Sequence, residues 1–96
     1  MTLVFMAFAL ATCGDRPPAD ASGAEIFEQI CANCHASDLS GGIGPALNAG
    51  SNAASQDDAF LEFTITRGRG RMPSFQNTLS QEQIERVIGF IRDQQR

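Results

Sequence analysis

The stretch "ICANCHAS" (residues 30–37) contains two cysteines three positions apart, with a histidine directly after the second. A zinc site needs four ligands, and no second pair of Cys or His residues is available to complete Cys31, Cys34 and His35. A thioredoxin-like redox pair belongs to a βαβ unit, which the sequence does not indicate. A local disulfide stays open as an alternative, although it gives His35 no role.

The spacing C-x-x-C-H is the attachment pattern of c-type haem. It lets both thiols form thioethers with the two vinyl groups of one porphyrin, while the next residue places an imidazole nitrogen under the iron. We therefore expect Cys31 and Cys34 to hold one haem c covalently, with His35 as the proximal ligand of its iron.

The group that fills the sixth coordination position of the iron decides whether the haem transfers electrons or acts on a substrate. The chain has no other histidine and no lysine or tyrosine, and Met1 and Met6 lie in the apolar N-terminus. Met72 remains, and because Pro73 follows it we expect it outside a helix interior, where methionines often only fill the core. A His35/Met72 pair raises the reduction potential and leaves no vacancy for a substrate. The prediction is an electron-transfer protein that is not an enzyme.

Two alternatives stay open for the function. In the first, Met72 is only packing and a five-coordinate haem binds gas or reduces peroxide. The bundle-type cytochromes of that class carry C-x-x-C-H near the C-terminus, whereas here it lies near the start. In the second, the chain is a fixed haem subunit of a larger oxidase or dehydrogenase.

Composition limits both the core and the partners. Seven arginines stand against eleven Asp and Glu residues, giving a formal charge of -4, so nucleic acid is excluded as a partner class. A chain of 96 residues without Trp or Tyr has a small core, which we expect a cofactor to complete. Arg67, Arg69 and Arg71 lie in a solvated loop, or one of them pairs with a haem propionate.

The N-terminus indicates export. The apolar stretch "MTLVFMAFALAT" (residues 1–12) would rise only about 18 Å as a helix, too short for a bilayer core of roughly 30 Å, and is predicted to be a signal segment. "LATC" (residues 10–13) resembles the lipobox of bacterial lipoproteins, which predicts a lipid anchor at Cys13; plain secretion is the alternative. Residues 13–22 are predicted to be a flexible tether, and residues 23–96 the folded domain.

Helical signals dominate that domain. No stretch shows the alternation of apolar and polar residues that would predict a sheet, so the predicted fold class is all-α. Ser22 is expected to cap a first helix. A second is expected to start at Ser55 and to end at Gly68. Ser80 and Gln83 form the pattern of a capping box at the start of a third. Its apolar residues repeat at helical spacing: Ile84, Val87, Ile88 and Ile91.

Over residues 22–96 the chain resembles a small class I bacterial cytochrome c, particularly the lipid-anchored ones. Four stretches carry the resemblance, in this order: "CANCH" (31–35), "GIGPAL" (42–47), "RGRGRMPSF" (67–75) and "IERVIGFIR" (84–92). It implies a cytochrome c fold of about three main helices, with loops wrapped around one covalently bound haem.

The resemblance also implies roles for single residues. The Pro45 carbonyl would accept a hydrogen bond from the His35 ring, and Leu47 and Phe75 would line the porphyrin. The first and last helices would cross with Gly23 and Phe27 against Gly89 and Phe90.

Partners and location follow from the same interpretation. We expect a monomer that exchanges electrons with membrane-associated donor and acceptor proteins. It would lie at the outer face of the cytoplasmic membrane or in the periplasm, because c-type haem is attached outside the cytoplasm. A lipid anchor at Cys13 would confine its search for partners to the membrane surface.

Overall fold

Three helical segments joined by loops make up residues 16–96, the part of the chain that this computed structural model describes. The predicted signal segment and Cys13 lie outside the described residues. The first segment runs without a break through α1 (Gly23–Ile26), a π-helical turn (Phe27–Cys31) and α2 (Ala32–His35). The second is α3 (Asp58–Arg67), preceded by a short 3-10 turn (Ala53–Ser55), and the third is α4 (Gln81–Gln94). Over this range there is no strand, only one isolated bridge between Arg69 and Met72.

The first helical segment begins as the sequence predicts. The Ser22 hydroxyl accepts from the backbone N–H of Glu25, and the Glu25 carboxylate accepts from the backbone N–H of Ser22, both at 3.1 Å. Ile26 and Phe27 are fully buried. This inward-facing turn leads directly into Cys31, so the apolar face positions the C-x-x-C-H motif at the edge of the core.

The second helix begins later than predicted. Its N-cap is Asp57, whose carboxylate accepts from the backbone N–H of Phe60 at 2.8 Å, while Ser55 belongs to the preceding 3-10 turn. Ser and Asp both favour the cap position, and the aspartate takes it here. The end at Gly68 is confirmed.

The predicted features of the third helix are all present. Ser80 and Gln83 form both hydrogen bonds of the capping box, at 2.8 and 3.2 Å. The four residues that repeat at helical spacing are buried: Ile84, Val87, Ile88 and Ile91. This single apolar stripe places α4 against the first helical segment and α3.

The crossing of the first and last helices depends on Gly23 alone. A Cβ atom at Gly23 would overlap the carbonyl oxygen of Arg86, so no side chain fits there. The rings of Phe27 and Phe90 contact each other near this crossing in a tilted arrangement, with centroids 5.3 Å apart and an angle of 45° between the ring planes. The expectation that Gly89 takes part is wrong, because a Cβ atom at Gly89 would meet nothing within 4 Å.

Residues 17–21, here called the N-terminal strap, lie against α4. The Nε2 group of Gln83 donates to the carbonyl oxygens of Pro17 at 3.4 Å and Pro18 at 3.1 Å. The same side chain accepts in the capping box, so its amide links the strap to the start of the helix. Pro17 and Gln83 are both buried.

A second contact fixes the strap further along. Arg86 donates to the carbonyl oxygen of Ala19 at 2.7 Å, and Ala21 is buried in the core. Within residues 16–96, the packed chain thus begins before Gly23, the start expected from the sequence. Much of the predicted tether (residues 13–22) contacts the fold.

No helix within residues 16–96 has the length and apolarity needed to cross a membrane.

Candidate functional site

His35 stands at the end of α2 with its ring buried. Its Nδ1 atom lies 2.7 Å from the carbonyl oxygen of Pro45. Because a carbonyl oxygen can only accept, Nδ1 is the donor, and in the neutral form of the ring Nε2 is then the nitrogen without a proton. The hydrogen bond thereby fixes the tautomer and the orientation of the ring, as partners of metal-binding histidines do.

The loop that carries Pro45 folds back onto the end of α2. The backbone N–H of Gly41 donates to the carbonyl of His35 at 2.9 Å, and that of Gly44 donates to the carbonyl of Cys34 at 2.8 Å. A Cβ atom at Gly44 would lie 2.9 Å from Cε1 of the His35 ring. Glycine is therefore required at residue 44 for the loop to lie against the imidazole.

Two strained residues allow this fold-back. Ala36, directly after the histidine, has φ 68° and ψ 151°, a region that is essentially restricted to glycine. Leu39 has φ 64° and is fully buried, and its carbonyl oxygen accepts from the backbone N–H of Leu47 at 2.8 Å. The core contact of Leu39 and the bonds of the loop offset the cost of both conformations.

Cys31 and Cys34 are free, half-buried thiols. Burial, and secondarily the charge of Cys34, raises the pKa of Cys31 to about 12. A reactive redox cysteine has a lowered pKa, so this environment argues against a thioredoxin-like pair. Within residues 16–96 there is no group of three or more His, Cys, Asp or Glu residues placed to bind a metal ion.

Met72 lies on a tight turn after α3, outside any helix. Its backbone exchanges two hydrogen bonds with Arg69, at 2.9 and 3.0 Å. Gly68 has φ 74°, and a Cβ atom there would lie 2.6 Å from the Met72 carbonyl oxygen. The sequence therefore builds a narrow turn that holds the Met72 backbone in one place.

The apolar residues predicted to surround a cofactor share one environment. Each is partly buried and packs against the same hydrophobic core: Cys31, Leu47, Met72 and Phe75. The backbone N–H of Phe75 donates to the carbonyl of Ile65 at 3.0 Å, which ties the segment after Met72 to α3. Pro45 takes part through its carbonyl oxygen and is otherwise exposed.

Three further residues belong to the site although the sequence alone did not indicate them: Gly44, Ala36 and Leu39. Gly44 lies inside "GIGPAL" and could have been inferred from the close approach of that loop to the histidine. Nothing in the identity of Ala36 or Leu39 signals a positive φ, because both residues usually avoid it.

The family model and the relatives that match this chain are all described as cytochromes or cytochrome oxidase subunits. Residues 18–91 match the family described as cytochrome c oxidase, cbb3-type, subunit III. Cytochrome c6 of Leptolyngbya boryana is 36% identical over 77 residues, which cover 76% of this chain and 89% of that protein. Cytochrome c-551 of Bacillus subtilis (strain 168) is 39% identical over 61 residues, covering 62% of this chain and 53% of that relative.

Solved structures confirm the predicted fold. The c-type cytochrome NirC superposes with a TM-score of 0.65 at 26% identity, covering 74% of this chain and 85% of that one. Cytochrome c6C from Synechococcus sp. PCC 7002 superposes with a TM-score of 0.63 at 29% identity, covering 76% and 93%.

Proposed function

Because the chain belongs to the cytochrome c family, in the group described as cytochrome c oxidase, cbb3-type, subunit III, we propose that it carries single electrons on one covalently attached haem. It is a carrier and not an enzyme, and it works outside the cytoplasm. Its partners are membrane-associated donor and acceptor proteins. The haem supplies an iron that accepts and releases one electron, and the protein binds it, sets its ligands and excludes water.

The hydrogen bond between His35 and Pro45 is the observation that carries this proposal. It leaves Nε2 of a buried, oriented imidazole free for a metal, and the two free thiols lie in the same continuous helical segment, Cys31 at the end of the π-helical turn and Cys34 in α2. This donor set fits a c-type haem, whereas no zinc or redox alternative fits the same residues. Cys31 and Cys34 would form the thioethers, and His35 would be the proximal ligand.

Met72 would hold the iron through its thioether sulfur, together with His35. Two observations support it: the thioether belongs to a half-buried residue, and the turn that carries it is fixed by two backbone hydrogen bonds. By occupying the sixth position, Met72 would deny a substrate access to the iron. Leu47 and Phe75 would supply the apolar surroundings that keep water away.

The test of the ligand set is the substitution Met72→Leu, which removes the sulfur but keeps a similar apolar volume. Protein made with haem-attachment machinery should show a c-type haemochrome, and the oxidised protein should show a weak long-wavelength sulfur-to-iron band. The variant should lose that band, and its reduction potential should fall, because thioether ligation raises the potential. An oxidised spectrum that is identical in both proteins would contradict Met72 as a ligand.

A fixed position within a larger oxidase or dehydrogenase is the second candidate function. The description of the matching family, a subunit of an oxidase, favours it. The size of the species that contains the tagged chain distinguishes a free carrier from a fixed subunit. It is measured in solubilised membranes of cells that express the chain at its natural level. A carrier should migrate as a free monomer on native gels and in size-exclusion chromatography. Stoichiometric co-migration with a larger haem complex would instead assign it as a subunit.

A lipid anchor at Cys13 forms part of the proposal, supported by the sequence "LATC". Cys13→Ser should release the protein from the membrane fraction while the haem spectrum stays unchanged. Continued association of the variant with membranes would show that lipid at this cysteine is not the anchor.

A further inference from the structure

Arg92 and Gln95, at the C-terminal end of α4 and here called the α4 clamp, bind backbone carbonyl groups outside their own helix. Gln95 donates from Nε2 to the carbonyl oxygen of Leu47 at 2.9 Å, and its Oε1 accepts from Arg92 at 2.8 Å. Arg92 also donates to the carbonyl oxygen of Gln56 at 2.5 Å and, from Nε, to the carboxylate of Asp58 at 2.7 Å. The two side chains therefore form one connected network.

The two carbonyl groups that the α4 clamp binds lie at the ends of one loop. Within the described part of the chain, the hydrogen bonds of residues 48–55 all stay between residues 48 and 56. The loop turns back on itself, and its hydrogen bonds to α4 are made at Leu47 and Gln56. Because Asp58 is the first residue of α3, the guanidinium of Arg92 also fixes this loop relative to α3.

The geometry of Arg92 suits it to positioning more than to stabilisation. Its side chain is only 21% exposed, but its ion-pair partner Asp58 is 71% exposed. A pair with one partner in water contributes little to stability. A guanidinium is planar and presents its donors in a fixed fork, so one side chain can hold several acceptors in a defined arrangement. Arg92 therefore sets the relative positions of Gln56, Asp58 and Gln95.

Leu47 connects the α4 clamp to the candidate haem site. Its N–H donates to the carbonyl of the buried Leu39 at 2.8 Å, and its own carbonyl accepts from Gln95, so both backbone groups are held. Pro45, two residues earlier, accepts from the His35 ring. The Leu47 side chain is half-buried against the hydrophobic core. The α4 clamp thus restrains the same loop that orients the proposed proximal ligand.

We propose that Arg92 and Gln95 are positioning residues for the haem: Arg92 aligns the amide of Gln95, and Gln95 holds Leu47 where its side chain keeps water from the cofactor. This inference rests on the proposed function, which places a haem beside Leu47. The ferric state carries one more positive charge than the ferrous state, and water stabilises the more charged state. Loss of the α4 clamp therefore lowers the reduction potential, because the apolar surroundings of a metal site control its access to solvent.

Hydrogen exchange in the reduced, haem-loaded protein tests the hold on Leu47 directly. Gln95→Leu removes both hydrogen bonds of the side chain without changing the charge. The Leu47 amide should then exchange roughly tenfold faster, the factor that corresponds to the loss of one hydrogen bond. The amide of Gly68, which donates to the Thr64 carbonyl at 2.8 Å in another loop, should exchange as before. Unchanged exchange at Leu47, or equal acceleration of both amides, would overturn the proposal.

Redox titration tests the effect on the haem. Gln95→Leu should lower the reduction potential, whereas Gln94→Leu, at the neighbouring exposed side chain, should leave it unchanged. Ser80→Ala removes the cap at the other end of α4 and so destabilises the fold without touching the α4 clamp. It should also leave the potential unchanged. A potential in Gln95→Leu that is not lowered, or an equal shift in Ser80→Ala, would contradict a positioning role.

A double-substitution cycle tests whether Arg92 acts through Gln95. Arg92→Lys keeps the charge, but an ammonium group lacks the planar fork that holds the acceptors together. It should lower the potential by itself and change nothing further when Gln95→Leu is already present. Additive shifts would overturn the assignment of Arg92. A preparation that attaches no haem would overturn the proposed function, whereas haem-loaded protein in which Leu47 does not respond would overturn this inference alone.

Discussion

The Nδ1 atom of His35 donates to the carbonyl oxygen of Pro45 at 2.7 Å, across a loop of ten residues. The contact requires the backbone of Gly44 to lie against the imidazole ring. The orientation of the His35 ring and the path of the loop therefore both depend on the absence of a side chain at Gly44. A substitution at Gly44 tests this dependence.

Gly44→Ala should destabilise the haem-loaded protein by about 1–3 kcal/mol, because the added methyl group overlaps the His35 ring. It should also shift the reduction potential, since the imidazole or its hydrogen bond must move. Gly42→Ala is the matched control in the same loop, where an added Cβ atom makes only an ordinary contact at 3.4 Å. Denaturant unfolding and redox titration measure both effects, and equal behaviour of the two variants would contradict the packing described.

Ala36→Gly should stabilise the protein by about 1 kcal/mol. The substitution relieves a backbone conformation that costs roughly 1–3 kcal/mol, and the greater freedom of glycine in the unfolded chain offsets about 0.4–1 kcal/mol of this gain. Ala24→Gly, at an exposed helical position, should do the opposite and cost about 0.5–1 kcal/mol. Denaturant unfolding of the two variants side by side decides the matter, since a loss of stability at both positions would be incompatible with strain at Ala36.

Asp57→Ala should cost about 1 kcal/mol, because the carboxylate that caps α3 would be lost. Ser55→Ala should change stability by less than about 0.5 kcal/mol, as is usual for surface positions. Thermal or denaturant unfolding can resolve the difference. A larger effect at Ser55 would place the start of the helix where the sequence first suggested.

Gln83→Glu should detach the N-terminal strap while keeping the capping box. The carboxylate can still accept from Ser80 but can no longer donate to Pro17 or Pro18, whose carbonyl oxygens would repel it. Stability should fall by about 1–3 kcal/mol at neutral pH. Part of the loss should be recovered below about pH 4, where the carboxyl group is protonated and can donate again.

Limited proteolysis checks the same variant directly, because a detached strap should be cleaved faster within residues 16–22. Gln76→Glu makes the same charge change at an exposed side chain and should leave both stability and cleavage unchanged. Similar cleavage of the two variants would show that Gln83 does not hold the strap.

Much of the fold could be predicted because its signals are local. The capping box of Ser80 and Gln83 and the apolar stripe of α4 are complete within a few turns of sequence. The turn of Met72 could be predicted because Pro73 excludes a helix interior and two glycines, Gly68 and Gly70, precede the methionine.

The errors arose where contacts with other parts of the fold decide between local alternatives. Ser55 and Asp57 are both good caps, and only packing decides between them. Gly89 resembled a crossing residue, but the close approach falls at Gly23, which meets a backbone carbonyl far along the chain. The strap could not be predicted from its own polar composition, since its partner Gln83 lies 65 positions after Pro18.

The N-terminal strap also shortens the linker between Cys13 and the folded domain. If Cys13 is acylated, the four steps of chain from it to Pro17 reach at most about 14 Å when fully extended. A free linker that extended to residue 22 would reach more than twice as far as one that ends at Pro17. The domain would then stay close to the lipid headgroups and rotate only about its point of attachment. It would reach fewer partners, but it would meet neighbouring complexes in a preferred orientation.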